Sequence, residues 1–383
     1  MKVVVAIDSF KGSLSTFLSG EAVKEGILRV YKDAEVDICP LADGGEGTVD
    51  AIAAATDGSI EKVNVTGPLG EPVSATYGIM GDRHTAVMEM SAAAGITLVP
   101  EEKRDPMETT TYGVGEMILH AIRERGCRRF IVGIGGSATN DGGVGMLSAL
   151  GFEFLDKEGN AVSLGAKGLR DIVSIKTEKA APELSECEFT VACDVKNPLC
   201  GDKGCSAIYG PQKGATAEKV KLMDGWLSEY ANMTAELFGE DLSDSEGAGA
   251  AGGMGFAFIS YLHGRLRSGI ETVIEVTELE AHIKNADIVV TGEGRLDGQS
   301  VMGKAPIGVA KAAKKYGKTV IAFSGAVTKD ANVCNGQGID AFFPILRKPC
   351  TLSEAMDRDN AYGNLAGTAE QVFRLVKEIR DKR

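Results

Sequence analysis

Short apolar runs alternate with amphipathic segments at both ends of this chain. After the first run, apolar residues return at helical spacing from Leu18 to Val30, which predicts a helix with one buried face. Alternation of this kind is typical of β-α-β units with parallel strands. The strands predicted at the two ends are 2–7, 35–41, 60–65, 286–291, 319–324 and 340–345, and the helices that follow them include 46–55, 304–316 and 360–379.

Neither end alone supplies enough parallel strands for a sheet with its own core. We therefore expect an α/β protein in which residues 1–66 and 286–383 form one flavodoxin-like or Rossmann-like parallel-sheet domain. Residues 67–285 would be a large inserted mixed α/β domain, in which strands 72–80 and 84–90 form a hairpin. The active site is expected in the cleft between the two domains.

Composition excludes several classes of protein. The net charge of −13 over 383 residues argues against a nucleic-acid partner, whose phosphates require a basic face. No apolar stretch reaches the roughly 18 residues of a membrane span, and no signal sequence follows Met1, so we expect a cytoplasmic protein without membrane contact. The eight cysteines contain no Cys-x-x-Cys pair and are interpreted as free thiols. The spacing of Cys193, Cys200 and Cys205 does not suit zinc.

Several apolar runs end in loops that combine glycines with acids, bases or hydroxyls. In open α/β sheets ligands bind beyond the carboxyl ends of the strands, where glycine amides can approach phosphates and carboxylates can hold a hard cation. No loop has the P-loop pattern, but the recurrence favours a site for phosphate and metal. The loops are Asp8–Ser13, Leu41–Gly47, Gly135–Gly143 and Thr291–Gly298.

The loop Gly135–Gly143 has more than one reading. Residues 133–138 fit Gly-x-Gly-x-x-Gly/Ala, and Glu153 lies about twenty residues on, as in a dinucleotide-binding fold. That match is isolated, because Glu153 falls inside a strand pattern. An anion-binding loop at the start of a helix over 144–150 is favoured, with Ser137 and Thr139 as donors. A tight turn with Asp141 as a helix cap stays open.

Two further loops carry candidate chemistry. Asp194 ends the apolar run 189–193 and is a candidate general base or magnesium ligand, or simply a turn residue. Lys213 is the basic residue in the turn 209–214, which is a substrate loop, a nucleotide loop or a plain turn. The four histidines lie outside the glycine loops, so we do not expect histidine chemistry.

The loop Thr291–Gly298 combines both signs of charge. Glu293 and Asp297 could hold a magnesium ion, and Arg295 could bind a carboxylate or phosphate. Lys304 stands at the start of the next predicted helix, near its positive end. A surface salt bridge among Glu293, Asp297 and Arg295 is the alternative.

Six motifs together resemble the bacterial type-1 glycerate kinases, in one order and from the first strand to the last helix. The resemblance implies ATP- and Mg²⁺-dependent phosphorylation of D-glycerate, usually at the 2-hydroxyl, and a flavodoxin-like domain built from both chain ends. Ser300 departs from the family pattern, in which threonine is more common. The motifs are 8–13, 42–48, 133–143, 193–199, 210–215 and 291–295.

Roles within this site are assigned from chemistry. Candidate catalytic residues are Asp194, Asp8 and Lys11; candidate substrate ligands are Arg295, Lys213 and Asp43; candidate phosphate-binding residues are Gly136, Ser137, Thr139, Gly292, Gly294 and Lys304; candidate metal ligands are Glu293 and Asp297. A kinase for another hydroxy acid or sugar acid, a glycerate 3-kinase, an NAD-dependent dehydrogenase and a non-catalytic sensor remain alternatives. The sequence leaves open whether the chain is a monomer or a homodimer.

Overall fold

The structure, a computed structural model, describes residues 1–298 and 300–382. The chain divides into two compact units. Unit 1 comprises Met1–Asp43, Asp50–Thr56 and Ile270–Arg383, and unit 2 comprises Gly44–Val49 and Asp57–Gly269. The first unit is therefore discontinuous, because it draws on both ends of the chain.

The strands of the described residues, in chain order, are β1 (Lys2–Val5), β2 (Glu35–Ile38), β3 (Ser59–Thr66), β4 (Pro72–Ile79), β5 (Thr85–Glu89), β6 (Arg129–Gly133), β7 (Glu153–Leu155), β8 (Ser174–Lys176), β9 (Glu188–Ala192), β10 (Arg265–Arg267), β11 (Ile288–Leu296), β12 (Thr319–Val327) and β13 (Ala341–Pro344). The α-helices are α1 (Thr16–Leu28), α2 (Thr48–Ala55), α3 (Ser91–Ala94), α4 (Tyr112–Arg125), α5 (Val144–Ala149), α6 (Ala166–Leu169), α7 (Cys205–Tyr209), α8 (Ala217–Phe238), α9 (Ala250–Tyr261), α10 (Gly269–Val276), α11 (Leu279–Lys284), α12 (Ala305–Lys315), α13 (Leu352–Met356) and α14 (Arg358–Arg380).

Unit 1 is built on a five-stranded parallel sheet in the order β13-β12-β11-β1-β2. Alternate residues of β1, such as Val3 and Val5, pack in one core cluster with Val23 of α1 and Phe373 of α14. Counted within the unit, the strand order is 2-1-3-4-5, which is the flavodoxin order. The chain order of the strands runs outward in opposite directions from the neighbouring strands β1 and β11. Ligands of such sheets bind at this switch point.

Unit 2 contains a six-stranded mixed sheet in the order β10-β9-β6-β5-β4-β3. The pairs from β10 to β5 are parallel, whereas β5-β4 and β4-β3 are antiparallel. A separate antiparallel pair is formed by β7 and β8. One core cluster joins this sheet to α4, α5, α8 and α9, with Phe130, Tyr230 and Phe256 among its buried side chains.

The structure confirms the predicted fold class: a parallel-sheet α/β unit built from both chain ends and a mixed α/β unit from the middle. It also confirms the hairpin, as β4 and β5 pair antiparallel. Residues 60–65, which the sequence analysis grouped with the chain-end domain, instead lie in β3 and pair with β4. The period of a strand does not reveal which sheet it joins, and here the next strand in sequence supplies the partner.

Among residues 1–298 and 300–382, no helix combines the length and the apolar composition that a bilayer crossing requires.

Candidate functional site

A cavity of about 390 Å³ opens within unit 1 and is lined by residues from the ends of β1, β11 and β12. We call it the unit 1 cavity. Its position coincides with the switch point of the parallel sheet, where the backbone amides and side chains after β1 and β11 converge. One part of its lining is charged and the other is apolar. The charged residues are Asp8, Lys11, Asp43, Glu293, Arg295 and Lys304; the main apolar ones are Phe10, Ile345, Leu346, Leu352, Ala355 and Met356.

Asp8 is held at the floor of this cavity by its backbone. Its amide donates to the carbonyl of Gly292 at 2.9 Å, while the Thr16 hydroxyl donates to the Ile7 carbonyl at 2.5 Å. Its carboxylate is 6% exposed and accepts a hydrogen bond of 2.7 Å from the Ser9 amide. Burial, assisted by the nearby Asp43 carboxylate, raises the pKa of Asp8 to about 7. A carboxyl with that pKa can take up or release a proton near neutrality.

Glu293 and Asp297 converge on a single cation in this structure. The Nζ of Lys304 lies 3.6 Å from Oε2 of Glu293 and 3.5 Å from Oδ1 of Asp297. Ser300 donates to Oε1 of Glu293 at 2.6 Å, and Arg295 Nε lies 3.3 Å from Oδ2 of Asp297. Burial raises the pKa of Glu293 above its ordinary value, against the opposing hydrogen bond from Ser300. The predicted grouping of these charged residues in one loop is therefore present, as a network rather than isolated side chains.

The two glycines of this loop differ. Gly292 lies inside β11, where an added Cβ would stand 2.0 Å from the carbonyl oxygen of Phe323. Only glycine allows β11 and β12 to approach this closely, so the role of Gly292 in the structure is packing. Gly294 lines the unit 1 cavity, and an added Cβ there would meet Phe10 Cα at 3.5 Å, which is ordinary contact.

In unit 2 the loop Gly135–Gly143 is organised around the fully buried Asp141. Its carboxylate accepts from the amides of Gly143 and Gly145 at 3.2 and 3.3 Å and from the Thr111 amide and hydroxyl at 2.9 and 2.8 Å. Burial raises the pKa of Asp141, although these donors oppose the shift. The amides that a phosphate could use at the start of α5 are thus bound to Asp141, as in the helix-cap alternative.

Lys213 lies beneath the same loop rather than on its surface. Its side chain is 3% exposed, and Nζ donates to Ser137 Oγ at 2.8 Å and to the Thr139 carbonyl at 2.6 Å. Burial lowers the pKa of Lys213 to about 8. Thr139 is itself buried, whereas Gly136 is exposed with φ of 73°. The structure brings Lys213, Ser137 and Thr139 together as an internally bonded group, whereas Gly136 lies exposed in the same loop.

The start of α9 packs against the loop Gly135–Gly143. Gly252 has φ of 70°, and its carbonyl accepts from the Gly142 amide at 2.9 Å. An added Cβ at Gly252 would lie 2.1 Å from the Thr139 carbonyl oxygen. Both the left-handed backbone and the close approach require glycine here.

Asp194 is exposed after β9, also in unit 2. Its Oδ1 accepts from the Ser268 hydroxyl and from the Gly269 amide, each at 3.0 Å. Asp194 therefore organises the turn after β10 in this structure. This is the environment of a solvated, hydrogen-bonded carboxylate, in contrast to the desolvated carboxyl of Asp8.

The described residues contain no group of three or more His, Cys, Asp or Glu side chains arranged to hold a metal ion. The cysteines of that part of the chain are all free thiols, and burial raises the pKa of Cys193 to about 11. The zinc alternative at Cys193, Cys200 and Cys205 thus gains no support.

Sequence reasoning missed two features of the site. One is the role of Ser300, which the sequence marked only as a departure from a family pattern. Its hydroxyl donates the hydrogen bond to Glu293. The other is the apolar lining from Leu346, Leu352 and Met356. A short helix with apolar residues four apart is common in any α/β protein, so the sequence contained no specific signal for this lining.

Comparison with known proteins shows the family to which the chain belongs. The model of the glycerate kinase family matches residues 3–377. The chain is 48% identical over 372 residues to glycerate 2-kinase of Escherichia coli strain K12, covering 97% of each chain, and 47% identical over 376 residues to glycerate kinase of Haemophilus influenzae, covering 98% of this chain and 99% of the relative.

A solved structure is similar throughout. A crystal structure assigned to glycerate kinase 2 from Salmonella typhimurium LT2 superposes with a TM-score of 0.91 at 46% identity, covering 100% of this chain and 99% of that one. With a family model that spans nearly the whole sequence and relatives that match from end to end, the chain belongs to the glycerate kinase family.

Proposed function

We propose that this protein transfers the γ-phosphoryl group of ATP to the 2-hydroxyl of D-glycerate, giving 2-phosphoglycerate. Membership of the glycerate kinase family supports the reaction, and the name of the Escherichia coli relative supports the 2-hydroxyl as acceptor. The observation that carries the proposal is a desolvated carboxyl, Asp8, in one cavity with Lys11, Arg295 and Lys304. Phosphoryl transfer to an alcohol needs these two elements, a proton acceptor and compensation of phosphoryl charge.

Asp8 is the better candidate for the general base. An alcohol must lose its proton as it attacks, and a carboxylate with a pKa near 7 is matched to that task. Asp194, the other candidate, is exposed and bonded to Ser268 and Gly269, so its pairing favours a structural role. With Asp8 ionised, a carboxylate oxygen of Asp8 would accept the proton of the glycerate 2-hydroxyl while the glycerate oxygen bonds to the γ-phosphorus. The bond from that phosphorus to the bridging oxygen would break, and ADP would leave.

The cationic side chains are assigned to the substrate anions. Lys11 and Arg295 are exposed at the unit 1 cavity and would neutralise the glycerate carboxylate and the transferring phosphoryl group. Lys304 is the residue before α12, so its backbone stands at the positive end of that helix, which would add to the attraction of an anion. Asp43 would accept a hydrogen bond from a glycerate hydroxyl, in keeping with its place in the same lining.

Glu293 and Asp297 are the residues proposed to hold Mg²⁺. Both offer hard oxygen donors and both approach one position, which Lys304 occupies in this structure. Two protein carboxylates completed by phosphate oxygens and water are the usual environment of Mg²⁺ in phosphotransferases. These residues therefore fit the ion, which when bound supplies neutralisation of charge on the phosphates.

For the nucleotide phosphates, we propose contacts with Gly294 and Lys304 of unit 1. Gly136, whose exposed backbone belongs to unit 2, stays a predicted phosphate ligand. Ser137 and Thr139 are assigned a supporting part, because their polar groups are bonded to Lys213. Lys213 would likewise act by holding the loop rather than by touching glycerate. Gly292 is assigned to sheet packing.

Since the reaction consumes ATP, we propose the cytoplasm as its compartment.

The test is ADP release from Mg·ATP with D-glycerate, followed by enolase added directly to the product. Enolase converts 2-phosphoglycerate, and not its 3-isomer, to phosphoenolpyruvate. We expect phosphoenolpyruvate without added mutase. ADP without phosphoenolpyruvate would move the acceptor to the 3-hydroxyl. Absence of glycerate-dependent ADP would overturn the proposal and direct the search to other hydroxy acids.

A further inference from the structure

Three of the apolar side chains that line the unit 1 cavity are exposed, whereas Phe10 and Ile345 are buried. Leu352 is 78% exposed, more than any other large hydrophobic side chain in the described part of the chain, and Leu346 and Met356 are 39% and 38% exposed. All three line the same cavity, and we call them the apolar wall. Apolar side chains grouped around a concave surface mark a binding site more often than single exposed ones do.

Two capped helices follow one another at the apolar wall. Thr351 and Glu354 form a capping box at the start of α13, with the Glu354 amide donating to Thr351 Oγ1 at 3.2 Å and the Thr351 amide donating to Glu354 Oε2 at 2.8 Å. The next helix begins directly afterwards, where the Asn360 amide donates to Asp357 Oδ1 at 3.0 Å. Leu352 and Met356 are the first and last residues of α13, and Leu346 lies in the loop before it.

The other side of the same cavity carries Lys11, Arg295 and Lys304. A ligand that complements both parts must have an anionic end and an apolar end. D-glycerate has only polar groups, and a cavity of about 390 Å³ falls within the range of pockets that hold ligands larger than a three-carbon acid. A nucleoside triphosphate has the required shape and charge distribution.

We infer that the apolar wall binds the adenine ring of ATP, while the triphosphate extends toward the cationic side of the cavity. This inference rests on the proposed kinase function and adds the position of the base to it. The ring would cover Leu352 and contact Leu346 and Met356, so apolar area on both partners leaves water on binding. Aliphatic side chains around a flat ring are a common lining of such pockets.

The experiment compares two ligands that differ only beyond the phosphates. Calorimetric titration would give the Kd of ATP and of inorganic triphosphate for the full chain, without glycerate. Leu352→Gln should weaken ATP binding by about tenfold, the loss expected when one apolar contact is replaced by a polar side chain, and leave triphosphate binding unchanged. Leu346→Gln is an independent second variant with the same expected direction. Glutamine adds no charge, so the phosphate end of the ligand is not perturbed.

Leu375→Gln is the matched control, because Leu375 is 58% exposed on α14 and does not line the cavity. It should change neither Kd. Equal weakening of both ligands by Leu352→Gln, or no weakening of ATP, would overturn the inference. If Leu352→Gln dissociated a dimer, as measured by light scattering, and left the ATP affinity unchanged, the inference would also be overturned. The apolar wall would then be a contact with a second copy of the chain. If the unsubstituted protein does not phosphorylate glycerate but Leu352→Gln still weakens only ATP binding, the adenine site is supported. Only glycerate as the acceptor is then rejected.

Discussion

The hydroxyl of Ser300 donates a hydrogen bond of 2.6 Å to Oε1 of Glu293. Glu293 is 8% exposed, and burial raises its pKa, so each donor to its carboxylate favours the ionised form that a metal requires. Ser300 therefore acts through Glu293, as a positioning residue that tunes a carboxylate.

Replacing Ser300 tests this relationship. Ser300→Ala removes the donor, so we expect the pKa of Glu293 to rise further, its ionisation to steepen the acidic limb that Asp8 sets in the kcat/KM profile, and kcat/KM at pH 7 to fall by about tenfold. Ser300→Thr retains the hydroxyl and should keep the profile of the unsubstituted protein. A pH–rate series on both variants makes the measurement. An unchanged profile in Ser300→Ala would remove Ser300 from the site.

Asp8→Asn should abolish general-base catalysis. Because the pKa of Asp8 is raised to about 7, kcat/KM of the unsubstituted protein should rise with pH through about 7. The variant should lose at least about 10²-fold in kcat and lose this dependence. Asp194→Asn is the comparison: it should keep most of its kcat if Asp194 is structural. The reverse pattern, with Asp194→Asn inactive and Asp8→Asn active, would transfer the role of base to Asp194.

Asp8→Asn should lower the activity but raise the stability of the folded protein. Protonated Asp8 favours the folded state, so its contribution is present below the ordinary pKa of 3.8 and is lost as pH rises through about 7. Asn carries no such penalty at any pH. The Tm of Asp8→Asn should exceed that of the unsubstituted protein by a few degrees at pH 8 and approach it near pH 4. Differential scanning calorimetry at both pH values decides this, and a lower Tm at pH 8 would contradict the burial argument.

Lys213 should make stability depend on pH in the alkaline range. Burial lowers its pKa to about 8 from 10.5, so above pH 8 the folded state loses the proton while the unfolded chain retains it. Stability contributed by this residue therefore rises between about pH 8 and 10.5. Lys213→Met should lose that rise and, lacking the bonds to Ser137 and Thr139, should also lower kcat/KM. Denaturant midpoints across this range provide the measurement. A parallel pH dependence in both proteins would contradict it.

Gly292→Ala tests whether this glycine packs the sheet or contacts a phosphate. With an added Cβ 2.0 Å from the Phe323 carbonyl oxygen, we expect a fall in Tm of several degrees. Gly225→Ala in α8 is the matched control, because a Cβ there meets nothing within 4 Å; it should leave Tm unchanged or slightly higher. A stable Gly292→Ala protein with weakened ATP binding would instead favour the phosphate role.

Much of the charged site could be predicted because it lies at strand ends. Asp8 and Glu293 follow apolar runs, and parallel strands place their carboxyl ends at one edge of the sheet. The environment of Lys213 could not be predicted in this way. Its partner Ser137 is 76 residues away, and a single lysine in a turn has no period that indicates burial.

Competition for the same amides was also invisible in the sequence. The glycines after Asn140 fit a phosphate-binding loop, yet Asp141 accepts from the amides of Gly143 and Gly145. A carboxylate of the loop itself and a phosphate oxygen bind the same donors, so composition cannot separate the two. The apolar wall escaped notice for a related reason: exposure of Leu352 depends on what surrounds it, and periodicity reports only which residues share a face.

The discontinuous sheet of unit 1 sets the order of events on the ribosome. The central pairing joins Val3 of β1 to Ile288 of β11, so β1 cannot meet its inner neighbour until the chain has been synthesised beyond residue 288. At about 5–20 residues per second, β1 waits roughly 15–60 s with that edge unpaired. Unit 2 is complete in sequence during this interval and can fold first. The strand that leads to Asp8 is therefore an apolar segment that is made first and keeps one edge unpaired while unit 2 is synthesised, and an unpaired apolar edge is what a chaperone protects.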